Sequence, residues 1–125
     1  MRTGPILIVD DDLDIRELLA EALEGLGFPA ITAMNGLEAA KLVRSMASPP
    51  SLILLDLMMP VMDGYGFLEE RKNDPVLAKI PVAIITAGHG VDPERLGGGT
   101  PIIQKPIDVP LLMDVIHDLS AKSPS

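Results

Sequence analysis

Five short runs along the chain are apolar with almost no polar alternation: Ile6-Leu7-Ile8-Val9, Ala30-Ile31-Thr32-Ala33, Leu52-Ile53-Leu54-Leu55, Pro81-Val82-Ala83-Ile84-Ile85 and Pro101-Ile102-Ile103. Runs of this length read as strands covered on both faces, the kind found inside a parallel sheet. The second, with its Thr, is the weakest. The intervening stretches change period. Ile15, Leu18, Leu19, Ala22, Leu23 and Leu26 recur at helical spacing, and Gly25 and Gly27 mark the end of that helix. Asn35-Gly36 starts a second helix over residues 37–45. Asp63-Gly64 starts a third, with Tyr65, Phe67 and Leu68 inward, that ends near Asn73-Asp74-Pro75. After the fourth strand only Asp92-Pro93-Glu94-Arg95-Leu96 has helix-start chemistry, and Gly97-Gly98-Gly99 stops it after about a turn. The predicted fourth helix is therefore a shortened one. Asp108 caps the last helix, which turns Leu112, Val115, Ile116 and Leu119 to one side.

Strand followed by helix, five times over, predicts a doubly wound α/β fold with right-handed crossovers and helices on both faces of a parallel sheet. The chain of 125 residues suits one domain, with a core over about residues 5–120 and a polar tail at 121–125. Aromatic residues are 2% of the chain, so the core is aliphatic. No cysteine is present, which excludes a disulfide framework and thiolate zinc and fits a reducing compartment. The net charge of −8 disfavours direct contact with nucleic acid or anionic membranes and suits a metal cation or a basic protein surface. No apolar run approaches the roughly 18 residues of a membrane helix, and nothing resembles a signal core. A cytoplasmic protein without membrane insertion is expected.

Chemistry collects where the strands run out. The first ends in Asp10-Asp11, the third in Asp56 and the fourth in Thr86, and Lys105 follows the fifth. In parallel strands all of these share one rim, the rim where open α/β sheets bind ligands. Crowded carboxylates repel, and a hard divalent cation such as Mg²⁺ relieves them through oxygen ligands. A Lys and a Thr beside such a site offer an ammonium and a hydroxyl to a phosphate. Phosphoryl transfer onto a carboxylate fits this set. Asp12, Asp14 and Asp63 are read as caps or solvated acids. His89 and His117 are read as solvated, without partners at zinc-ligand spacing. The Met58-Met59 pair is read as packing.

Ile8-Val9-Asp10-Asp11-Asp12, Leu54-Leu55-Asp56-Leu57-Met58-Met59-Pro60, Asp63-Gly64, Ile84-Ile85-Thr86-Ala87 and Lys105-Pro106, in this order and spacing, resemble the receiver domain of two-component response regulators. The closest form is the single-domain, chemotaxis-regulator type. The resemblance implies a flavodoxin-like sheet of strand order 2-1-3-4-5. It implies Asp56 as phosphoacceptor, Asp10, Asp11, Asp56 and the Met58 backbone carbonyl as ligands of Mg²⁺, and Thr86 and Lys105 as the hydroxyl and cation that meet the phosphoryl group. It further implies a cis Lys105-Pro106 bond and a pocket left open by small Ala87. The expected donor is a sensor histidine kinase or a histidine phosphotransfer protein, and the output is contact with a downstream protein. A phosphorylation-linked homodimer is left open. Gly64 is expected to serve the turn behind Asp63.

Two features depart from the family pattern. Thr86 and Lys105 are nineteen positions apart, a little close, with the shortfall in the fourth strand–helix unit. Ile102 stands where the family places a switch aromatic. Output is therefore expected to run through residues 87–99, ordering on phosphorylation. A pseudo-receiver that binds partners without phosphorylation is the alternative. A small phosphatase or nucleotide-binding flavodoxin-like protein is a third reading, opposed by the lack of a Gly-rich loop after the first strand and of an Asp-x-Asp-Gly-Thr motif around Asp56. A start at Met1, close before the first strand, favours a stand-alone receiver over a fragment of a longer chain.

Overall fold

The structure is a computed structural model that describes residues 4–87, 91–96 and 100–122. Five strands, β1 Ile6–Val9, β2 Ala30–Ala33, β3 Leu52–Asp56, β4 Val82–Thr86 and β5 Ile102–Gln104, form one sheet of order β2-β1-β3-β4-β5. Every pairing is parallel. The helices are α1 Leu13–Gly25, α2 Gly36–Ser45, α3 Gly64–Lys72, α4 Pro75–Ala78, α5 Pro93–Leu96 and α6 Val109–Lys122. The expected doubly wound sheet and its order are thus present.

Burial explains the unalternating strands. All residues of β1, β3 and β4 are buried, because apolar clusters cover both faces of the sheet. Leu7, Val9, Ile53 and Leu55 face one cluster, which Val43 of α2 and Phe67 of α3 complete. Ile6, Ile8, Leu52 and Leu54 face the other, with Leu19 and Leu23 of α1 and Leu112 and Ile116 of α6. Side chains alternate between faces along each strand, so both sets must be apolar.

Three details differ from the sequence reading. Leu18 and Leu26 share the helical period of α1 but are exposed, at 58% and 49%. The buried stripe of α1 is narrow, resting on Leu19 and Leu23, and Leu26 lies beyond the helix as its C-cap. Second, α3 ends at Lys72 with Asn73 as its C-cap, as expected, but an unexpected short helix follows: Asp74 accepts from the N–H groups of Val76 and Leu77, and Pro75 opens α4. A cap followed by Pro at the first position is a start signal as well as a stop. Third, α6 runs on to Lys122, into the expected tail, whose residues 123–125 lie outside the described residues. So do His89 and Gly97-Gly98-Gly99. The short α5 agrees with the shortened fourth helix, His117 is exposed, and Lys105-Pro106 is cis.

Candidate functional site

The strand order reverses between β1 and β3, and the crevice of such a sheet opens beyond the carboxyl ends of those two strands. Val9 pairs with Leu55, so the next residue of each strand, Asp10 and Asp56, arrive there side by side. Asp10 is fully buried and Asp56 is 4% exposed. Asp11 follows on the exposed turn into α1. Carboxylate oxygens of Asp10, Asp11 and Asp56 lie within 4.8 Å of one another. Thr86, also buried, ends β4, and its carbonyl accepts a hydrogen bond from the Lys105 N–H at 2.8 Å. That bond sets Lys105 beside the acids. Its Nζ lies 3.0 Å from Asp10 Oδ2 and 3.8 Å from Asp56 Oδ2.

Local bonds hold the acids in place. Asp10 Oδ1 accepts from the Asp12 N–H at 2.9 Å, and the Asp10 carbonyl accepts from Arg16 Nη1 at 2.7 Å. Asp12 caps α1 and Asp63 caps α3, as expected from their positions. Asp56 Oδ1 accepts from the Met58 N–H at 3.3 Å. Of the methionine pair, Met59 is packed and Met58 is exposed, so the two do not share a packing role. Arg16 and the Met58 N–H were not singled out in the sequence. An Arg one turn into a helix that follows three acids was a signal for the first, and a backbone donor has none.

One ammonium against three carboxylates leaves the crevice negative. Burial, then the Asp10 charge, push the Asp56 carboxyl from its ordinary 3.8 up to about 6, against the pull of Lys105 and the Met58 N–H. Burial works to lower the Lys105 ammonium, but the Asp10 contact and the Asp56 charge outweigh it and raise it. Asp10 Oδ2 is buried, and no well-aligned hydrogen bond reaches it; Lys105 meets it as an ion pair. Hard oxygen donors, excess negative charge and a buried oxygen met by an ion pair alone together suit a small divalent cation.

Glycine shapes the approach to Asp56. A Cβ on Gly64 would lie 2.6 Å from the Asp56 carbonyl oxygen and 2.7 Å from Leu57 Cα. The Gly64 N–H donates to the Leu57 carbonyl at 2.9 Å. Gly64 is thus required by the close approach of α3 to the end of β3, rather than by a left-handed turn. Val61, in the same loop, has φ 68° and is the one non-glycine residue with positive φ among the described residues. For a β-branched side chain that is a strained conformation.

A doubly wound sheet with an acidic, cation-seeking crevice at its switch point defines a class of ligand-responsive α/β domains. The sequence profile of the response regulator receiver domain matches residues 6–117, and the chain belongs to that family. It is a phosphoacceptor regulator domain of two-component systems, a phosphorylation-dependent signalling switch of the kind that histidine kinases serve. The "Probable transcriptional regulator ycf27" of Porphyra purpurea is 42% identical over 82 residues, 66% of this chain and 32% of that protein. The "Probable transcriptional regulator ycf29" of Pyropia yezoensis is 33% identical over 121 residues, 94% of this chain and 53% of that protein. The chain spans about a third of the length of the ycf27 relatives. Among solved structures, the signal receiver domain of a signal transduction histidine kinase from Syntrophus aciditrophicus is similar at TM-score 0.80 and 32% identity, over 98% of this chain and 96% of that one. The receiver domain of the Francisella response regulator 1452 gives TM-score 0.81 at 25% identity, over 95% and 98%. Among the described residues, no helix is long and apolar enough to cross a membrane.

Proposed function

We propose that Asp56 accepts the phosphoryl group and that Asp10, Asp11, Asp56 and the Met58 backbone carbonyl hold Mg²⁺ beside it. The observation that carries this reading is the convergence of three carboxylates at the switch point, with one buried oxygen of Asp10 short of a hydrogen bond. Mg²⁺ is commonly held by one or two carboxylates together with water and phosphate oxygens, which matches the donors present. When bound, it supplies positive charge to the phosphoryl oxygens. A carboxylate oxygen of Asp56 attacks the phosphorus of a phosphohistidine. The O–P bond forms as the P–N bond breaks, and the imidazole nitrogen keeps the electron pair. Lys105, already 3.8 Å from Asp56 Oδ2, pairs with the new phosphoryl group, and the Thr86 hydroxyl turns towards it. Slow attack by water on the acyl phosphate then returns Asp56 and inorganic phosphate.

The donor is a sensor histidine kinase or a histidine phosphotransfer protein, and the product changes contact with a downstream protein or with a second copy of the chain. The charge of −8 keeps this domain itself off nucleic acid. We read residues 1–125 as one receiver domain that works in the cytoplasm. Incubation with phosphoramidate and Mg²⁺, followed by intact mass measurement, tests the reading. One phosphoryl group should be gained, and the gain should be lost in Asp56→Asn and on removing Mg²⁺ with a chelator. No gain from any donor would leave a constitutive interaction module.

A further inference from the structure

We propose that Tyr65 is the joint through which the phosphorylation site governs the docking of residues 91–96, so that phosphorylation at Asp56 loosens that segment; the inference rests on the reading of Asp56 given above. The route begins at Gly64. Its backbone is in contact with the Asp56 carbonyl and with Leu57, so closely that no Cβ fits, and its N–H is bonded to the Leu57 carbonyl. The start of α3 therefore has no slack against the end of β3, and a shift of the loop after Asp56 must pass into α3. The next residue is Tyr65, buried at 7% exposure.

Tyr65 holds the described part of the β4–β5 connection in two ways. Its hydroxyl accepts the Asp92 N–H at 2.7 Å, and the Arg95 guanidinium lies 4.1 Å from its ring centroid. Val91 and Leu96 pack on the same apolar cluster as Tyr65. The α5 helix has four residues, too few to stand without such docking. Residues 91–96 are therefore docked in this structure, while residues 88–90 and 97–99 of the same connection lie outside the described residues. At 2.7 Å this N–H···O bond is at the short end of its range, and displacement of α3 by about an ångström away from Asp92 takes it beyond hydrogen-bonding length. Strand β5 offers no comparable device, because Ile102 is 43% exposed and carries neither ring nor hydroxyl.

Tyr65 is a positioning residue here, since it does not touch the reacting atoms. The test is amide hydrogen exchange of the full chain over residues 91–96, with Mg²⁺ and with or without beryllofluoride as the phosphoryl mimic. In the unsubstituted protein the mimic should speed exchange. In Tyr65→Phe, exchange without the mimic should be about five- to tenfold faster, the factor that one neutral hydrogen bond is worth, and the mimic should add little. Arg95→Gln, at an exposed side chain, should reduce the mimic-dependent difference without disturbing the core. Phosphoryl uptake from phosphoramidate, read by mass, should persist in both variants. A mimic-dependent difference that is unchanged in Tyr65→Phe and Arg95→Gln would overturn the joint while leaving Asp56 as acceptor. The joint is overturned equally if the mimic leaves exchange in the unsubstituted protein unaltered. Absence of phosphoryl uptake by the unsubstituted protein would instead overturn the reading of Asp56, and the joint with it.

Discussion

Asp56 carries a cost before it carries a phosphate. Its charge is buried at the end of β3 beside that of Asp10, and its carboxyl is raised from 3.8 to about 6. Between those values the folded chain binds protons that the unfolded chain has released. Stability from this group is therefore greatest below about pH 4, falls as pH rises towards 6, and stays low above it. Asp56→Asn removes the charge and keeps an oxygen for the Met58 N–H at 3.3 Å. Without Mg²⁺, Asp56→Asn is expected to be more stable than the unsubstituted protein at pH 7, by at most about 3 kcal/mol for a shift of this size. The gap should close as pH falls to about 4. Urea unfolding of both proteins across that range checks this, and a gap that widens on acidification would contradict it. The same ionisation governs reactivity, since the nucleophile is the carboxylate.

At the scale of elements, the contact between α3 and the end of β3 is set by one missing methyl group. Gly64→Ala puts a carbon 2.6 Å from a backbone oxygen and 2.7 Å from a Cα, neither of which can swing away. Gly36→Ala puts one 2.8 Å from Met62 Cγ, in a flexible side chain, though the Met62 carbonyl at 3.0 Å is also tight. Gly64→Ala should therefore destabilise by about 2–3 kcal/mol, in the range of overpacked sites, and Gly36→Ala by about 1 kcal/mol or less. Equal unfolding midpoints for the two variants would show that α3 has room to move. The elements themselves were largely legible. Unalternating apolar runs marked β1, β3 and β4 because both faces are covered. Asp92-Pro93 marked the start of α5. The α4 turn was not read, because Asp74-Pro75 signals a stop and a start with the same residues. Leu18 was placed inward because spacing reports a face of the helix and says nothing about how wide a strip the sheet covers.

Across the whole molecule, the sheet order turns four separate sequence signals into one crevice. Asp10, Asp56, Thr86 and Lys105 are spread over nearly the whole chain, yet parallel register delivers them to one rim. That convergence was legible because each residue closes or follows an apolar run. The tilt of Lys105 towards Asp10, the Arg16 bond to the Asp10 carbonyl and the tie between Tyr65 and Asp92 were not. They depend on side-chain reach across elements, which periodicity does not encode.

The central claim is that Asp56, among several neighbouring acids, becomes the acyl phosphate. Borohydride reduction of the protein after treatment with phosphoramidate and Mg²⁺, followed by peptide mass analysis, reads the modified position directly, because an acyl phosphate is reduced to an alcohol. The account predicts homoserine at position 56, with Asp10 and Asp11 intact. Homoserine at position 10 or 11, or a phosphorylated protein with residue 56 unreduced, would contradict it.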